Sequence, residues 1–523
     1  MALLLVLLLA GVLRFHNLGA ECFWIDEIFS LQTSAGVGMA HERFPGGQWL
    51  DPPINPTSLS LGEGLAGILR YAPEDTQAPL YFVLLNLWRQ AFGSGEAAVR
   101  SLSVVCSLGV VAILFLLARD LFERGCAGGR DGGGFVGGGS LPLAATLAAG
   151  IAAAAEGQIL FAREARPYAM ALLLTSIAAW MLVRIEQWGF SRVRAVVLGI
   201  ALLLLMLTHY TGIAPALVMF AYAGIRLRGS ARLLTLGTFV ASAVVFSLIW
   251  GSTLIAQRAQ QVNRLDFLSD DPAGHVTRTL DRALRQPVVA LLTIAGASNR
   301  SSGELWAMRL VGGGIILVPL LLLRRWKSLL LPWMLMVSPI AMTTVSDLLQ
   351  TRAGLEVPRY SILSSLGVIL LAAGLIDRLR WRGAIGLLSV LMIFSVHAYA
   401  QFQRGDRKPD LRPMAEWVRS EVQPGDPLVL ARGRDVHWQS GALYSALAAY
   451  AGAWPGPMIV LDSPADEAAL QRLRSSRRVW MLSPTPALPA TQLLGALEIG
   501  RTLTVRNMGT LGELRLLPQS IRQ

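Results

Sequence analysis

Long apolar runs separated by short polar clusters recur along the chain from Met1 to about residue 400. The hydrocarbon core of a bilayer is about 30 Å thick and an α-helix rises about 1.5 Å per residue, so roughly 20 apolar residues cross it. The pattern therefore predicts a polytopic α-helical membrane protein with about 11 transmembrane helices. The approximate predicted spans are residues 1–13, 97–117, 141–161, 168–183, 195–208, 211–225, 233–254, 306–323, 328–346, 361–376 and 383–400.

A long polar loop, residues 19–96, separates the first two predicted spans. Within it, residues 79–92 (PLYFVLLNLWRQAF) are apolar, but 14 residues reach only about 21 Å as a helix. We expect this segment to be an interfacial helix rather than a span. A crossing here would also move every later basic cluster to the other side of the membrane.

Basic residues concentrate in the loops that follow the even-numbered spans. Five loops, at 119–131, 184–194, 226–232, 324–327 and 377–382, hold 15 basic residues against five acidic ones, whereas loop 19–96 holds nine acidic against three basic. Loops rich in Lys and Arg stay in the cytoplasm. This predicts a cytoplasmic N-terminus, with loop 19–96 and the C-terminus extracytoplasmic. We take the membrane to be the bacterial inner (cell) membrane.

Composition agrees with this interpretation and excludes other classes. The chain has 523 residues, of which 53% are hydrophobic and 15% charged. The formal net charge of +12 comes with basic clusters of the kind expected in cytoplasmic loops, so it does not indicate binding to nucleic acid. The three cysteines are far apart in sequence, and neither a disulfide nor a Cys/His metal cluster is predicted.

After residue 400 the charge and proline content rise and no further span is predicted. We divide the chain into a transmembrane domain, 1–400, and an extracytoplasmic soluble domain, 401–523. In the second domain, strand-like runs alternate with helical patterns, which predicts a small α/β layer. The predicted strands are 427–431, 458–461, 479–482 and 502–505, and the predicted helices are 414–422, 441–451 and 465–474.

Candidate chemistry gathers at the predicted outer face. The adjacent carboxylates of Asp26 and Glu27 lie in amphipathic sequence with Trp24 and Phe29, where a carboxylate is suited to acid or base catalysis. Several arginines and aromatic residues are predicted on the same side. The remaining candidates there are Arg100, Arg163, Glu164, Arg166, Tyr168, His209, Tyr210, Arg359 and Tyr360.

Carboxylates combined with arginines at a membrane surface suit transfer from a lipid-linked phosphate. A carboxylate deprotonates an acceptor hydroxyl, and arginines stabilise the phosphate that leaves. Each residue also has a structural explanation: His209 as a residue at a turn, Arg100 and Arg359 as arginines that reach the interface, and Glu164 as a partner of Arg163 or Arg166.

Several motifs together resemble glycosyltransferase family 39 of the GT-C superfamily, which includes protein O-mannosyltransferases and the aminoarabinose transferases of lipid A. The resemblance covers about residues 1–210 and fades in the tail. One departure is Gln77, where many relatives carry a basic residue or a histidine before the proline. The matching stretches are Phe23-Trp24-Ile25-Asp26-Glu27, Ala78-Pro79-Leu80-Tyr81 with Trp88 and Phe92-Gly93, Arg100, Ala162-Arg163-Glu164-Ala165-Arg166-Pro167-Tyr168 and, later in the chain, Arg359-Tyr360.

The resemblance implies a GT-C fold and a hexosyl- or pentosyltransferase that uses a polyprenyl-phosphate sugar donor. It implies inverting transfer to a lipid, glycan or protein acceptor, with Asp26 as base, Glu27 beside it and Glu164 as a second outer acidic residue. Arg100 matches an outer arginine of the family, and we expect the other candidates, Tyr81 included, to bind donor or acceptor. We expect that no metal is required, with a divalent cation held by carboxylate oxygens as the alternative.

Two other classes remain. A transporter or flippase for a lipid-linked substrate is expected to carry ionisable residues near mid-membrane and paired broken helices, whereas these ionisable residues gather at one predicted face. A non-catalytic membrane scaffold accounts for the spans but leaves the outer carboxylates and arginines unexplained.

Overall fold

A computed structural model describes residues 1–123, 143–264, 270–292, 301–378, 410–432, 439–462, 467–476, 478–484, 504–507 and 512–518. The predicted eleventh span, 383–400, lies outside these residues, as does Cys126 in the glycine-rich loop. The described chain is mostly helical and divides into two compact units. The first unit comprises residues 1–18, 76–81 and 100–405, and the second comprises 19–75, 82–99 and 406–523.

Helices account for most of the described chain. They are α1 Ala2–Phe15, α2 Ile25–Ala35, α3 Gly64–Tyr71, α4 Leu80–Phe92, α5 Glu96–Ala118, α6 Leu143–Ala154, α7 Glu156–Ala162, α8 Tyr168–Trp188, α9 Arg192–Thr208, α10 Ile213–Arg226, α11 Gly229–Arg264, α12 His275–Leu292, α13 Ser302–Leu322, α14 Leu330–Gln350, α15 364–378, α16 Arg412–Glu421, α17 Gln439–Ala451 and α18 Glu467–Ser475.

Five helical segments of the described chain are long and apolar enough to cross a membrane, and a sixth is added if the bent pair α6 and α7 is one span. These six overlap the predicted spans two, three, four, seven, eight and nine. The remaining described spans correspond to the shorter helices α1, α9, α10 and α15. The six segments are Glu96–Phe122, Leu143–Ala162, Tyr168–Trp188, Gly229–Ala259, Ser302–Leu322 and Lys327–Gln350.

The surfaces of these helices suit a lipid environment. In the most apolar 18-residue stretch of α11, only 28% is buried within the protein, and in that of α13 only 17%. The exposed side chains on these two helices include Leu248, Ile249, Leu310 and Leu321. Large apolar side chains exposed over this length would be unfavourable in water, so the helices indicate an integral membrane protein.

Helix ends follow the local sequence. Pro167 immediately precedes α8. Proline suits this position because it has no backbone N–H to donate and its fixed φ matches the start of a helix. Ser191 caps α9, where its hydroxyl accepts a hydrogen bond from the Arg194 backbone N–H at 3.3 Å. The carboxyl end of α2 is closed by Gly36, whose φ of 82° is a left-handed conformation that glycine adopts without strain.

The second unit contains a six-stranded mixed sheet in the order β1-β3-β2-β4-β6-β5. Its central strands β3, β2 and β4 are parallel, and β1, β6 and β5 join antiparallel. Parallel strands are usually covered on both faces, and Leu428, Val429 and Leu430 of β2 are apolar and buried. The strands are β1 Trp49–Leu50, β2 Leu428–Arg432, β3 Met458–Asp462, β4 Arg478–Pro484, β5 Thr504–Asn507 and β6 Gly512–Pro518.

Two strands of this sheet have no counterpart among the predicted ones. Strand β1 comes from loop 19–96, where Trp49 pairs with Ile459 and Leu50 with Met458. Strand β6 pairs with both β4 and β5. The second unit therefore combines loop residues 19–75 and 82–99 with the chain after residue 405, and differs in this from the predicted domain of residues 401–523.

Candidate active site

The candidate residues are distributed over both units. Asp26 and Glu27 lie in the second unit, in the first turn of α2. All others lie in the first unit: Tyr81, Arg100, Arg163, Glu164, Arg166, Tyr168, His209, Tyr210, Arg359 and Tyr360.

At the start of α2, the two adjacent carboxylates have different environments. Glu27 is fully buried, and its Oε2 accepts a hydrogen bond from the backbone N–H of Trp24 at 3.2 Å. The first N–H groups of a helix have no partner within it, so a glutamate at the third position stabilises the helix start. Asp26 is half-buried, and its backbone oxygen accepts from the hydroxyl of Ser30. Because neighbouring positions on a helix do not face each other, Asp26 and Glu27 point in different directions.

The carboxyl end of α2 is anchored by α4. Arg89 is 3% exposed and donates to the backbone oxygen of Leu31 and to the hydroxyl of Ser34, both at 2.8 Å. A second branch of its guanidinium donates to the backbone oxygen of Thr57 at 2.6 Å. Asn86 adds a bond of 2.7 Å to the Ser34 backbone oxygen. A cation at the carboxyl end complements the helix dipole and the unpaired carbonyls there, so α2 is fixed at both ends.

The segment before α2 is held by residues from the chain after 405, within the same unit. The backbone N–H of Phe23 donates to the hydroxyl of Tyr450 at 2.6 Å, and the Cys22 thiol donates to Asp410 at 3.0 Å. Arg412 donates to the backbone oxygens of residues 19 and 20 and forms an ion pair of 2.7 Å with Glu96. The C-terminal chain therefore has a structural role that its lack of catalytic motifs did not reveal.

In the first unit, the turn between α7 and α8 carries the matching arginine-rich motif. Glu164, Arg166 and Tyr168 are each less than 10% exposed. The backbone N–H of Arg166 donates to the backbone oxygen of Glu164 at 2.8 Å, which closes the turn. Tyr81 supports this turn indirectly, because its hydroxyl lies 2.8 Å from Ser103 Oγ, which donates to the backbone oxygen of Arg166 at 3.2 Å.

Arg100 and Arg163 both contact the turn that follows α1. Arg100, 2% exposed, donates to the backbone oxygen of Leu18 at 3.0 Å, and Arg163 donates to that of Asn17 at 3.1 Å. Asn17 has φ of 51°, in the left-handed region that is uncommon for residues other than glycine. These two arginines therefore stabilise the exit of the chain from α1, and each uses at least one donor for that purpose.

Tyr210 belongs to a hydrogen-bond network with α11. The Nε1 of Trp250 donates to the Tyr210 hydroxyl at 2.9 Å, and that hydroxyl in turn donates to Gln257. Gln257 then donates to the backbone oxygen of Gln77 at 3.0 Å. The network fixes the backbone at the position where this sequence departs from the family motif.

His209 has the most perturbed chemistry of the candidates. Its ring centroid lies 5.5 Å from that of Tyr168, and its Nδ1 lies 2.7 Å from the hydroxyl of Thr211. Burial, together with the positive charges of Arg166 and Arg359, lowers the pKa of His209 to about 4. A neutral imidazole is therefore close to two arginines contributed by two different loops, which is an arrangement typical of a site for an anion.

Arg359 lies in the loop that connects α14 and α15. Its guanidinium carbon is 5.7 Å from the centroid of the Tyr360 ring. The same loop is bound by α12, through hydrogen bonds from Gln286 to Leu355 and from Ser361 to Gln286, and through an ion pair between Arg282 and Glu356.

Helix α12 was not predicted. The predicted seventh and eighth spans leave residues 255–305 as a connection without an assigned helix, but the structure has a helix from His275 through Pro287 to Leu292. A signal was available: Arg278, Arg282 and Arg285 recur at the three- and four-residue spacing of one helix face.

No group of three or more His, Cys, Asp or Glu side chains that would suit a metal ion occurs in the described parts of the chain.

The fold is that of an integral membrane protein, and its candidate residues are divided between the two units. A scan against protein-family profiles found no match, and a search of curated proteins found none. Known structures similar to this chain include the Archaeoglobus fulgidus oligosaccharyltransferase in complex with Zn and sulfate. The identity is 14% and the TM-score 0.48, with coverage of 95% of this chain and 70% of that one.

Two further similar structures are complexes with lipid phosphates. ArnT from Cupriavidus metallidurans bound to undecaprenyl phosphate is 14% identical, with a TM-score of 0.44 and coverage of 99% and 98% of the two chains. AglB from Archaeoglobus fulgidus with an inhibitory peptide and a dolichol-phosphate is 14% identical, with a TM-score of 0.47 and coverage of 92% and 69%. At this identity, and with TM-scores below 0.5, these similarities do not assign an activity to this chain.

Proposed function

We propose that this protein is a membrane glycosyltransferase of the hexosyl- or pentosyltransferase type. It moves a sugar from a polyprenyl-phosphate donor to an extracytoplasmic acceptor hydroxyl on a lipid, glycan or protein, with inversion. The observation that supports this most strongly is that the charges of Arg166 and Arg359 act on the half-buried, neutral His209 in a unit rich in apolar helices. Two fixed cations beside apolar helices suit a phosphate attached to a lipid chain.

In this proposal Arg166 and Arg359 bind the donor phosphate. The leaving group of the reaction is an anionic phosphate, and guanidinium groups bind its oxygens with two parallel hydrogen bonds. Their charge is most useful as the sugar departs, because negative charge then develops on the bridging oxygen. Arg100 and Arg163 contribute positive potential and hold the turn at residues 17–18, and Tyr168 and Tyr360 lie against the two phosphate-binding arginines.

Asp26 acts as the general base. As the acceptor oxygen forms its bond to the anomeric carbon, the acceptor proton passes to the Asp26 carboxylate and the bond from that carbon to the phosphate oxygen breaks. Polyprenyl phosphate leaves from the opposite face, so a single displacement inverts the stereocentre. Glu27 is less suited to this role because its carboxylate caps α2. Glu164 is the alternative base, since it lies in the same turn as Arg166.

The remaining parts of the proposal follow from the charge pattern and the sheet. We propose 11 spans, with loop 19–96 and the C-terminal α/β domain outside the bacterial inner membrane. The interfacial helix at 79–92 then presents Arg89 and Asn86 to α2, and the C-terminal chain fixes the backbone before Asp26. We expect no metal to be required.

The experiment that tests the base compares Asp26→Asn, Glu27→Gln and Glu164→Gln for sugar transfer, at equal expression. Asp26→Asn keeps the shape and removes the base, so transfer should fall by about 10² to 10⁴. Binding of polyprenyl phosphate, measured beside it, should persist because arginines rather than carboxylates hold the phosphate.

Glu27→Gln serves as the matched control, because an amide oxygen still accepts the hydrogen bond from Trp24. It should retain most activity. Near-normal transfer by Asp26→Asn would contradict the assignment, and a selective loss in Glu164→Gln would move the base to that residue.

A further inference from the structure

One buried side chain, that of Gln286 in α12, is bonded to both ends of the loop that carries Arg359. Its Nε2 donates to the backbone oxygen of Leu355 at 2.5 Å, and its Oε1 accepts from the hydroxyl of Ser361 at 2.6 Å. We propose that Gln286 is a positioning residue that sets Arg359 for the donor phosphate. This inference rests on the proposed function, in which Arg359 binds that phosphate.

The chemistry of the amide suits this task. A glutamine side chain is the simplest group that donates at one atom and accepts at another, so one residue can bind a carbonyl and a hydroxyl together. Gln286 is 2% exposed and Ser361 is fully buried. Removing the amide would leave the Leu355 carbonyl without this donor in a buried setting, where an unpaired polar group is costly. The loop would then move to recover a partner.

A second set of contacts holds the amino-terminal part of the same loop. The Asp347 carboxylate accepts from the backbone N–H groups of Gly354 and Leu355, both at 2.9 Å. Arg282 donates to Glu356 and to Asp270, at 2.7 Å each. Asp270 also accepts from His275 at 2.9 Å. Although burial raises the pKa of Asp270, hydrogen bonds from Arg282, His275 and Arg278 outweigh it and hold the pKa below its usual range. Asp270 therefore stays charged and keeps Arg282 in place.

These contacts divide the loop into two parts. Residues 354–356 are bound by Asp347, Gln286 and Arg282, and residue 361 is bound by Gln286. Arg359 lies between these anchors, and the side chain of Gln286 hydrogen-bonds the chain on both sides of it. The direction of the Arg359 guanidinium therefore depends on the distance that Gln286 maintains between residues 355 and 361.

The test compares Gln286→Leu, Arg359→Ala and the double variant for binding of a fluorescent polyprenyl phosphate in detergent. A displaced binding group costs on the order of tenfold to a hundredfold in well-positioned sites, so Gln286→Leu should weaken binding about tenfold or more. Arg359→Ala should weaken it at least as much. If Gln286 acts through Arg359, the double variant should bind no more weakly than Arg359→Ala.

Two further variants separate positioning from general damage. Ser361→Ala removes one of the two bonds and should give a smaller loss of the same kind, and it serves in place of Gln286→Leu if that variant does not fold. Gln187→Leu is the matched control. Gln187 lies on α8 and donates to the backbone oxygen of Asp120, so this variant should bind donor normally. Where transfer is measurable, the loss should be in the donor KM more than in kcat.

The outcomes are distinguishable. Normal binding by Gln286→Leu and Ser361→Ala, with weak binding by Arg359→Ala, would overturn the positioning role and leave the proposed function intact. Additive losses in the double variant would also overturn it, because Gln286 would then act independently of Arg359. Normal binding by Arg359→Ala would overturn this inference together with the phosphate site of the proposed function.

Discussion

Asp26 and Glu27 are adjacent in sequence, yet the structure gives them different roles. Both residues are catalytic candidates on the sequence alone, because the order Trp-Ile-Asp-Glu does not show which carboxylate accepts a hydrogen bond at the start of the helix. Only the backbone shows that Glu27 accepts from the Trp24 N–H. Residue types and their neighbourhood were predictable from sequence, whereas the division of work depends on where α2 begins.

The arginines divide in a similar way. Sequence grouped Arg100, Arg163, Arg166 and Arg359 by their predicted side of the membrane. The structure shows that the first two bond the turn at residues 17–18 and that the charges of the last two act on His209. Such a division depends on contacts between distant parts of the chain, which loop charge alone does not determine.

His209 supplies a pH-dependent prediction. Its pKa is about 4 in the folded protein, against an ordinary value of 6.5, because of burial and the charges of Arg166 and Arg359. As the pH falls below 6.5, His209 therefore takes up a proton in the unfolded chain. In the folded chain it takes up that proton only near pH 4. The stability due to neutral His209 is complete above about pH 6.5 and is lost as the pH falls towards 4, by about 1–2 kcal/mol at pH 5.

Thermal unfolding in detergent at about pH 7 and about pH 5 measures this effect. His209→Gln, which does not titrate, should lose less stability on acidification than the parent protein does. An equal loss in both proteins would show that His209 is already protonated in the folded state.

At the scale of elements, the bend in the predicted third span depends on α1. Helices α6 and α7 meet at 57°, and the buried guanidinium of Arg14 donates to the backbone oxygens of Ala152 and Ala153 beside this bend, both at 2.9 Å. Its Nε donates to Ser107 at the same distance. A break in a helix leaves carbonyl groups unpaired, and inside a membrane they need an internal partner. Arg14 is such a partner, and α7 then leads directly to the turn with Glu164 and Arg166.

Replacing Arg14 should therefore destabilise the first unit. Arg14→Leu removes the donors to two buried carbonyls, at about 1–3 kcal/mol for each. Its unfolding temperature in detergent should fall clearly, and Arg14→Lys should recover part of the loss. The control is Arg324→Leu, which removes an exposed arginine and should change little. An unchanged unfolding temperature in Arg14→Leu would mean that the carbonyls at the bend find other partners.

Elements with a regular apolar pattern were the easiest to predict. The long helices that begin at Glu96, Tyr168 and Gly229 are predictable from hydropathy alone, because side chains that face lipid are apolar along the whole span. Helix α12 was missed because its arginines, which bond Asp270, Asp281 and Glu356, make the segment resemble a polar loop. Strand β1 was missed because two residues give no detectable alternation, and its partner in the sheet is over 400 residues away.

At the scale of the whole molecule, the sequence predicted the membrane class. The second unit was harder to predict, because it is assembled from three separated stretches of chain. A soluble domain drawn as one continuous segment omits the residues of loop 19–96 that join its sheet. Contacts between residues that are far apart in sequence cannot be predicted from local patterns of residue type.

The central claim is that the protein uses a polyprenyl-phosphate sugar as donor. The most direct measurement follows the radiolabel after the purified protein is incubated with radiolabelled polyprenyl-phosphate sugars. A membrane extract supplies the acceptor, and the reaction is run with and without a chelator. We predict that the wild-type protein releases polyprenyl phosphate and moves label to the acceptor fraction with or without the chelator, and that Asp26→Asn does neither at a comparable rate. Donor that remains intact with the wild-type protein, or label that only crosses the bilayer while still attached to its lipid, would contradict the claim.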